Sequence, residues 1–496
     1  MNAAIIFVLL LALMVTGMPV SIALGLTVLT FLFSMTDVPT TSVALKLFTG
    51  IENFGIMSIP FFILAGNFLT QGGVAKRMIH FTVTLVGHFH GGLALAGVLA
   101  CGLFAAISGS SVATVAAIGT IVMPAMIKAG YPKRFGAGVV TTSGALGILV
   151  PPSIVMVLYA VSTNNSVGDM FIAGIVPGVV LLLMLGATTF FLAKKNNYPR
   201  VHLFEGRHFW QESGSVLWGL LVSLGVTFLP PLPFVWGLHE STQSWFLAVM
   251  VSFMVWLPLA NFLAKRFRLG LAFEARAVWN AYWDCLWGLL LIGVVLGGIW
   301  SGVFTPTEAA ATAAVYAFFI VCFVYKDLSF KQIPKVLKDS AATSAMLLYI
   351  ITNAVLFSFL MTNENIPQAM ADWLTSAGLG PLTFLAVVNL LLLLAGNVME
   401  PSSIVLVLAP ILYPVAAKLG IHPIHFGIMM MVNMEVGLCH PPVGLNLYVG
   451  SGIAKMGISE LTVAVLPWLI TMIVFLIMVT YWPTLSLWLP QMLGMR

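Results

Sequence analysis

The chain has 496 residues, of which 60% are hydrophobic and 7% charged, with a net charge of +5. Soluble domains carry about a quarter of their residues charged, so a soluble protein is excluded. Apolar runs reach the roughly 20 residues that cross a bilayer, without the short alternating segments of an outer-membrane barrel, so the expected class is an all-α polytopic membrane protein. The basic residues lie in short loops between apolar runs and form no nucleic-acid patch; they report orientation instead. Cys101, Cys285, Cys322 and Cys439 are scattered without paired spacing, which argues against disulfides and zinc and for small packing side chains.

Residues 1–33 lack a basic leader and a small-residue cleavage site, and therefore read as a retained span, not a signal peptide. Positions 4–33 are long for one helix and interrupted at Gly17, Met18 and Pro19, which predicts a kink or a division into two. A second span covers 53–71. After Lys76 and Arg77, a short amphipathic piece leads to two half-length apolar helices, 93–106 and 112–127, joined by the small polar tip Ser108-Gly109-Ser110-Ser111. That pattern predicts a re-entrant hairpin, with Lys128, Lys133 and Arg134 placing its exit in the cytoplasm. Span 135–160 is broken at Gly147-Ile148-Leu149-Val150-Pro151-Pro152, because proline removes a donor and clashes with the preceding turn. In hydrocarbon an unpaired backbone group is so costly that such a break survives only inside protein or against a cavity.

Residues 170–193 return to Lys194 and Lys195. A charged linker and two apolar runs, 216–236 and 245–263, read as an inserted two-helix hairpin. Span 278–300 crosses outward to Thr305-Pro306-Thr307-Glu308, where Glu308 caps a helix start, and 309–325 returns to Lys326. The first half is then replayed: span 341–361, an amphipathic helix 366–376, a second hairpin of 382–395 and 404–417 around the tip 396–403, a second broken span 425–450 opened at 437–444, and a last span 461–481. The total is eleven spans, two re-entrant hairpins and two broken helices.

Subtraction exposes the repeat. Pro124, Lys128, Gly130, Gly147, Pro151 and Pro152 recur as Pro414, Lys418, Gly420, Gly437, Pro441 and Pro442, each displaced by 290. The first unit is 1–200, with its hairpin over 91–129 and broken helix over 135–160. The insert is 201–276. The remainder, 277–496, is a connecting span and a second unit, with its hairpin over 380–418 and broken helix over 424–455. Three crossings separate the two units, and an odd number inverts the second, as in the inverted-topology repeats of many secondary transporters.

The segments Ala106-Ile107-Ser108-Gly109-Ser110-Ser111-Val112-Ala113-Thr114, Gly147-Ile148-Leu149-Val150-Pro151-Pro152-Ser153 and Pro441-Pro442-Val443-Gly444-Leu445-Asn446 resemble the signature segments of the large membrane subunit of tripartite ATP-independent periplasmic (TRAP) transporters. The resemblance covers about 1–195 and 278–489. It implies a sodium-driven importer of organic acids in the bacterial inner membrane, working by an elevator motion with a small four-helix membrane subunit and a periplasmic substrate-binding protein. The chain departs from the family pattern at His440, where Thr is usual, and at Pro401, where Gly is common. The insert is absent from shorter members.

Sodium is a hard cation that transporters hold with unwound carbonyls, helix ends and neutral hydroxyls. Ser108, Gly109, Ser110 and Ser111 facing Gly144, Gly147 and Pro151 form one expected cage. Gly396, Asn397, Ser402 and Ser403 facing Gly437, Pro441 and Gly444 form the other. The competing reading is that small residues only let helices pack closely; a serine triplet facing a Pro-Pro break, twice over, favours the ion site. A carboxylate is expected between the tips, met by half-helix N-termini, with Ser110, Ser111, Thr141, Thr142, Ser402, Asn433 and Asn446 as donors. No Arg or Lys lies in the breaks, so backbone dipoles carry charge capture, helped by His440. Glu400 and Glu435 lie in apolar sequence and mark function by default, as a second shell to sodium or a proton-sensitive group, with helix capping the alternative for Glu400. Walker, zinc-protease and nucleophile–base patterns are absent, so an enzyme is not expected, no cofactor beyond coupling sodium is implied, and free energy must come from an ion gradient. The rival readings are a stand-alone carboxylate carrier driven by sodium or protons, and a non-transporting scaffold.

Overall fold

The computed structural model describes residues 2–36, 39–50, 52–199, 275–376, 380–397, 399–441 and 444–494; the inserted pair expected at 216–236 and 245–263 lies outside them. Two helices, α1 (Asn2–Val15) and α2 (Val20–Met35), pack on each other across a turn in which Gly17 has φ +82°. Of the two forms left open for 4–33, the chain takes the divided one, and neither piece reaches the roughly 20 residues of a full span. A short α3 (Thr40–Thr49), not anticipated, precedes a 3₁₀ turn that Asn53 opens by accepting from Gly55 N (2.9 Å). α4 (Ser58–Gln71) and α5 (Val74–Val86) follow.

The first hairpin is α6 (Gly92–Ser108) against α7 (Ser111–Lys128). Gly109, at φ +58°, ends α6 in a left-handed conformation that glycine adopts without steric penalty. The Ser110 Oγ then starts α7 by accepting from Ala113 N (3.5 Å). The first broken span is α8 (Lys133–Ser143), α9 (Leu146–Leu149) and α10 (Ile154–Ser162), with a cis Pro151–Pro152 peptide between α9 and α10. α11 (Val167–Lys195) follows, capped by Ser166. Beyond the insert come α12 (Ala275–Trp300) and α13 (Pro306–Phe319). The start of α13 is the cap expected at Glu308: Thr305 Oγ1 accepts from Glu308 N (3.3 Å), and Glu308 Oε2 accepts from Thr305 N (2.8 Å). Next are α14 (Ile333–Asn363) and α15 (Ile366–Ser376), then the second hairpin, α16 (Pro381–Gly396) and α17 (Pro401–Lys418). The second broken span is α18 (Pro423–Cys439) and α19 (Leu445–Ala454), and the chain closes with α20 (Ile458–Tyr481) and a short α21 (Thr484–Met492) that was not expected.

Both ends of α7 recur in α17 at the 290 displacement, 111 to 401 and 128 to 418. The units also interlock, since α10 packs on α17 and α19 packs on α7, so the far half of each broken span lies against the other unit's hairpin. α18 is buried from Ile424 to Cys439, as expected for a helix apolar all round. α16 exposes Leu382, Val387, Leu390 and Leu394, an outer face suited to acyl chains. The four cysteines are free and buried. Among the described residues nine helices are long and apolar enough to cross a membrane, making this an all-helical polytopic membrane protein.

Candidate functional site

The first hairpin tip rests on the first break. A Cβ at Gly147 would stand 2.6 Å from the backbone of Ser110 and Ser111, so only glycine allows this approach. Ser111 Oγ donates to Gly144 O (3.0 Å) and accepts from Asn446 Nδ2 (2.7 Å). That places Asn446, from the start of α19, one hydrogen bond behind the tip. Ser108 Oγ and Thr114 Oγ1 are bonded to each other at 2.8 Å, and Thr114 Oγ1 donates to Ser110 O (2.8 Å). The break also frees backbone donors. Ile148 and Leu149 give their N–H groups to Glu435 Oε1 (3.0 and 2.9 Å), a fully buried carboxylate on α18. Glu435 Oε2, Asn446 Oδ1, Thr141 Oγ1 and Ser143 Oγ are buried without a hydrogen-bond partner among the described residues.

The second tip repeats the contact. A Cβ at Gly437 would lie 2.9 Å from Gly396 Cα, and Gly437 is the counterpart of Gly147. His440 Nδ1 and Asn397 Oδ1 are hydrogen-bonded at 3.1 Å, and Ser402 Oγ donates to Glu400 Oε1 (3.1 Å). Glu400 occupies the N-cap position of α17 but makes no side-chain cap bond, so the capping alternative is not realised.

Both tips open on one cavity of about 230 Å³. Ser108, Gly109, Ser110 and Ser111 enter it from the first, and Glu400, Pro401 and Ser402 from the second. Ile148 on α9 and Ile154 on α10, with Leu438 on α18 and Leu445 on α19, flank the two breaks and line it as well. α4 contributes Asn67 and Thr70, and α14 contributes Thr343 and Leu347. Glu400 is the only formally charged residue in this lining. The starts of α7 and α17 both reach it, bringing the partial positive charge of two helix N-termini.

Several expected residues stand elsewhere. Gly144, Gly147, Pro151, Gly396, Gly437, Pro441 and Gly444 do not line the cavity; at Gly147 and Gly437 the close backbone contact shows a shaping role behind the tips. Thr142 Oγ1 donates within its own helix to Gly138 O (2.8 Å). Asn433 Nδ2 donates to Asn389 O and Oδ1 (3.0 and 2.8 Å), turning toward α16 and away from both tips. Thr141, His440, Asn397 and Ser403 also lie off the cavity wall. Among the described residues no three His, Cys, Asp or Glu side chains gather to hold a metal; the oxygen atoms at the tips are hydroxyls, amide oxygens, carbonyls and the Glu400 carboxylate.

Comparison with known proteins decides the family. The profile described as "Tripartite ATP-independent periplasmic transporter, DctM component" matches residues 7–257 and 239–485. The chain belongs to the DctM family. A DctM protein of Rhodobacter capsulatus, the "C4-dicarboxylate TRAP transporter large permease protein DctM", is 57% identical over 100% of both chains. Its namesake in Pseudomonas aeruginosa is 46% identical over 92% of this chain and 90% of the other. The "Isethionate TRAP transporter permease protein DctMQ" of Oleidesulfovibrio alaskensis is 35% identical over 96% of this chain and 64% of its own length. The solved YdaH transporter of Alcanivorax borkumensis aligns with a TM-score of 0.44 at 15% identity, covering 92% of this chain and 88% of the other. This DctM protein is thus the large permease subunit of a TRAP transporter, and not an enzyme.

In this DctM chain the outer wall of the cavity is what sequence reasoning missed. Asn67 and Thr70 on α4, and Thr343 on α14, line it, and Asn67 Nδ2 donates to Ser340 Oγ (2.8 Å), tying the two wall helices together. A signal was present: an Asn one turn from a Thr inside the apolar span 53–71, at a depth where a polar side chain normally seeks a partner across helices.

Proposed function

We propose that this DctM chain moves a C4-dicarboxylate across the bacterial inner membrane, driven by sodium and fed by a periplasmic binding protein, with a small membrane subunit at its side. The observation that carries the reading is the single cavity shared by both hairpin tips. An acid seated there meets the starts of α7 and α17, while Glu400 shares the same small volume. The two carboxylates of the ligand and Glu400 put three like charges at this depth, which require compensation, and cations co-bound at the tips supply it. Sodium suits the Ser108–Thr114 hydroxyl pair, Ser111, Gly144 O and the unpartnered Asn446 Oδ1, because hard cations take oxygen ligands. The names borne by the relatives from Rhodobacter capsulatus and Pseudomonas aeruginosa support the substrate class.

The basic loops orient the chain. Lys128, Lys133, Lys194 and Lys326 face the cytoplasm, and the units invert about the membrane plane, so moving the tips and breaks as one body past α4 and α14 exposes the cavity to either side. The test is uptake of labelled succinate into proteoliposomes. Uptake is expected only when the large subunit, the small subunit and the binding protein are all present with an inward sodium gradient. Equal uptake by the large subunit alone would establish the stand-alone carrier instead.

A further inference from the structure

A second cavity, of about 370 Å³, lies against the same three helices farther along the chain path. α10 lines the tip cavity with Ile154 and Val155 and the second with Leu158, Val161 and Ser162. α14 does so with Thr343 and Leu347, then with residues from Ile351 to Thr362. α17 does so with Pro401 and Ser402, then Leu406 and Pro410. The two cavities therefore lie one after the other along the same three helices. Their charges differ in sign: the only formally charged lining residue of the first is Glu400, and of the second Lys46, on α3. Lys46 Nζ stands 5.6 Å from the centre of the Phe359 ring. Around it the lining offers Asn53, Asn164 and Ser358, neutral polar groups of the kind that orient a carboxylate, while the Thr362 hydroxyl donates to Ser358 O (2.9 Å). Leu45 and Phe48, beside Lys46 on α3, are exposed at 62% and 74%, so the helix presents apolar side chains outward while its ammonium serves the cavity.

We infer that the Lys46 cavity is an anion-binding antechamber, which holds the carboxylate ligand before it reaches the tips. The assignment of a carboxylate rests on the transport reading above; the selectivity for anions rests on Lys46 and the polar lining alone. The floor of the cleft is apolar and buried at Ile56, Leu158, Ile351, Ala354 and Leu406, while Lys46, Asn53 and Asn164 stand exposed at its rim; a cleft with low-dielectric walls and one sign of charge concentrates ions of the other sign by roughly tenfold or more.

The test places a cysteine in the antechamber by Ser358→Cys in the full chain, reconstituted in liposomes. Labelling by an anionic sulfonate thiol reagent is compared with labelling by its trimethylammonium counterpart, each read against the chain with its four native, buried cysteines only. Once each rate is divided by that reagent's rate with a small free thiol in solution, the anionic reagent is expected to react about tenfold faster, and succinate is expected to slow it. Lys46→Gln should abolish both effects, whereas Lys46→Arg should keep them and shows that the site tolerates substitution. Equal rates for the two reagents, or a preference unchanged by Lys46→Gln, would overturn the inference. Loss of uptake with the charge preference intact would remove the transport reading and leave the anion site standing.

Discussion

At the scale of single residues, the site depends on backbone approaches that glycine alone allows and on one carboxylate that serves a broken helix. Gly147→Ala drives a methyl group to 2.6 Å from the Ser110 and Ser111 backbone, and overpacking of this kind destabilises by about 1–3 kcal/mol. Gly147→Ala and Gly437→Ala should therefore lower the melting temperature of the detergent-solubilised protein and abolish uptake, while Gly186→Ala, with nothing within 4 Å, should leave both unchanged. Glu435→Ala strands the N–H group of Leu149 and leaves that of Ile148 only a long bond to Ala145 O (3.5 Å), and an unmet buried donor costs about 1–3 kcal/mol. Glu435→Gln keeps an oxygen acceptor at the same place. The melting temperature should fall well below wild type for the alanine variant and less for the glutamine variant; equal falls would show that the two backbone bonds do not explain the burial of this carboxylate.

At the scale of helices and turns, the tips were legible because Ser, Gly and Pro interrupt sequence that otherwise belongs in lipid. The expected hairpin arms and the broken spans match the helices closely, and the amphipathic helix 366–376 matches α15 at both ends. Rotation about a helix axis was not legible. Asn433 and Thr142 sit on the correct elements, yet one turns toward Asn389 and the other bonds its own helix, and nothing in a helix apolar all round says which side faces the cavity. Asn67 and Thr343 escaped notice for the converse reason, since an isolated polar residue in an apolar span reads equally well as packing. The division of 4–33 followed from Gly17 and Pro19, but α3 and α21 are too short for periodicity to register. Ser110 joins local structure to function: Ser110→Ala removes the cap on α7, worth about 1 kcal/mol in a typical helix and less here, where the bond is 3.5 Å long. The concentration of sodium giving half-maximal uptake should rise severalfold, and an unchanged value would take Ser110 out of the ion site.

At the scale of the whole molecule, the interlocking of the units matters most. Because α10 leans on α17 and α19 on α7, the two hairpins and two broken spans pack together, and a ligand bound between the tips touches both units at once. The wall helices α4 and α14 are linked to each other by Asn67 and Ser340. Replacing sodium with choline on both sides of the proteoliposome membrane should then stop succinate uptake, while removing ATP should not. Uptake that survives without sodium would assign the coupling to another ion. The most direct measurement is a cryo-electron-microscopy map of the complete transporter with succinate and sodium. Ligand density is expected to be bounded by residues 108–113 on one side and 400–402 on the other; density touching only one tip, or lying outside the hairpins, would contradict a site shared by both tips.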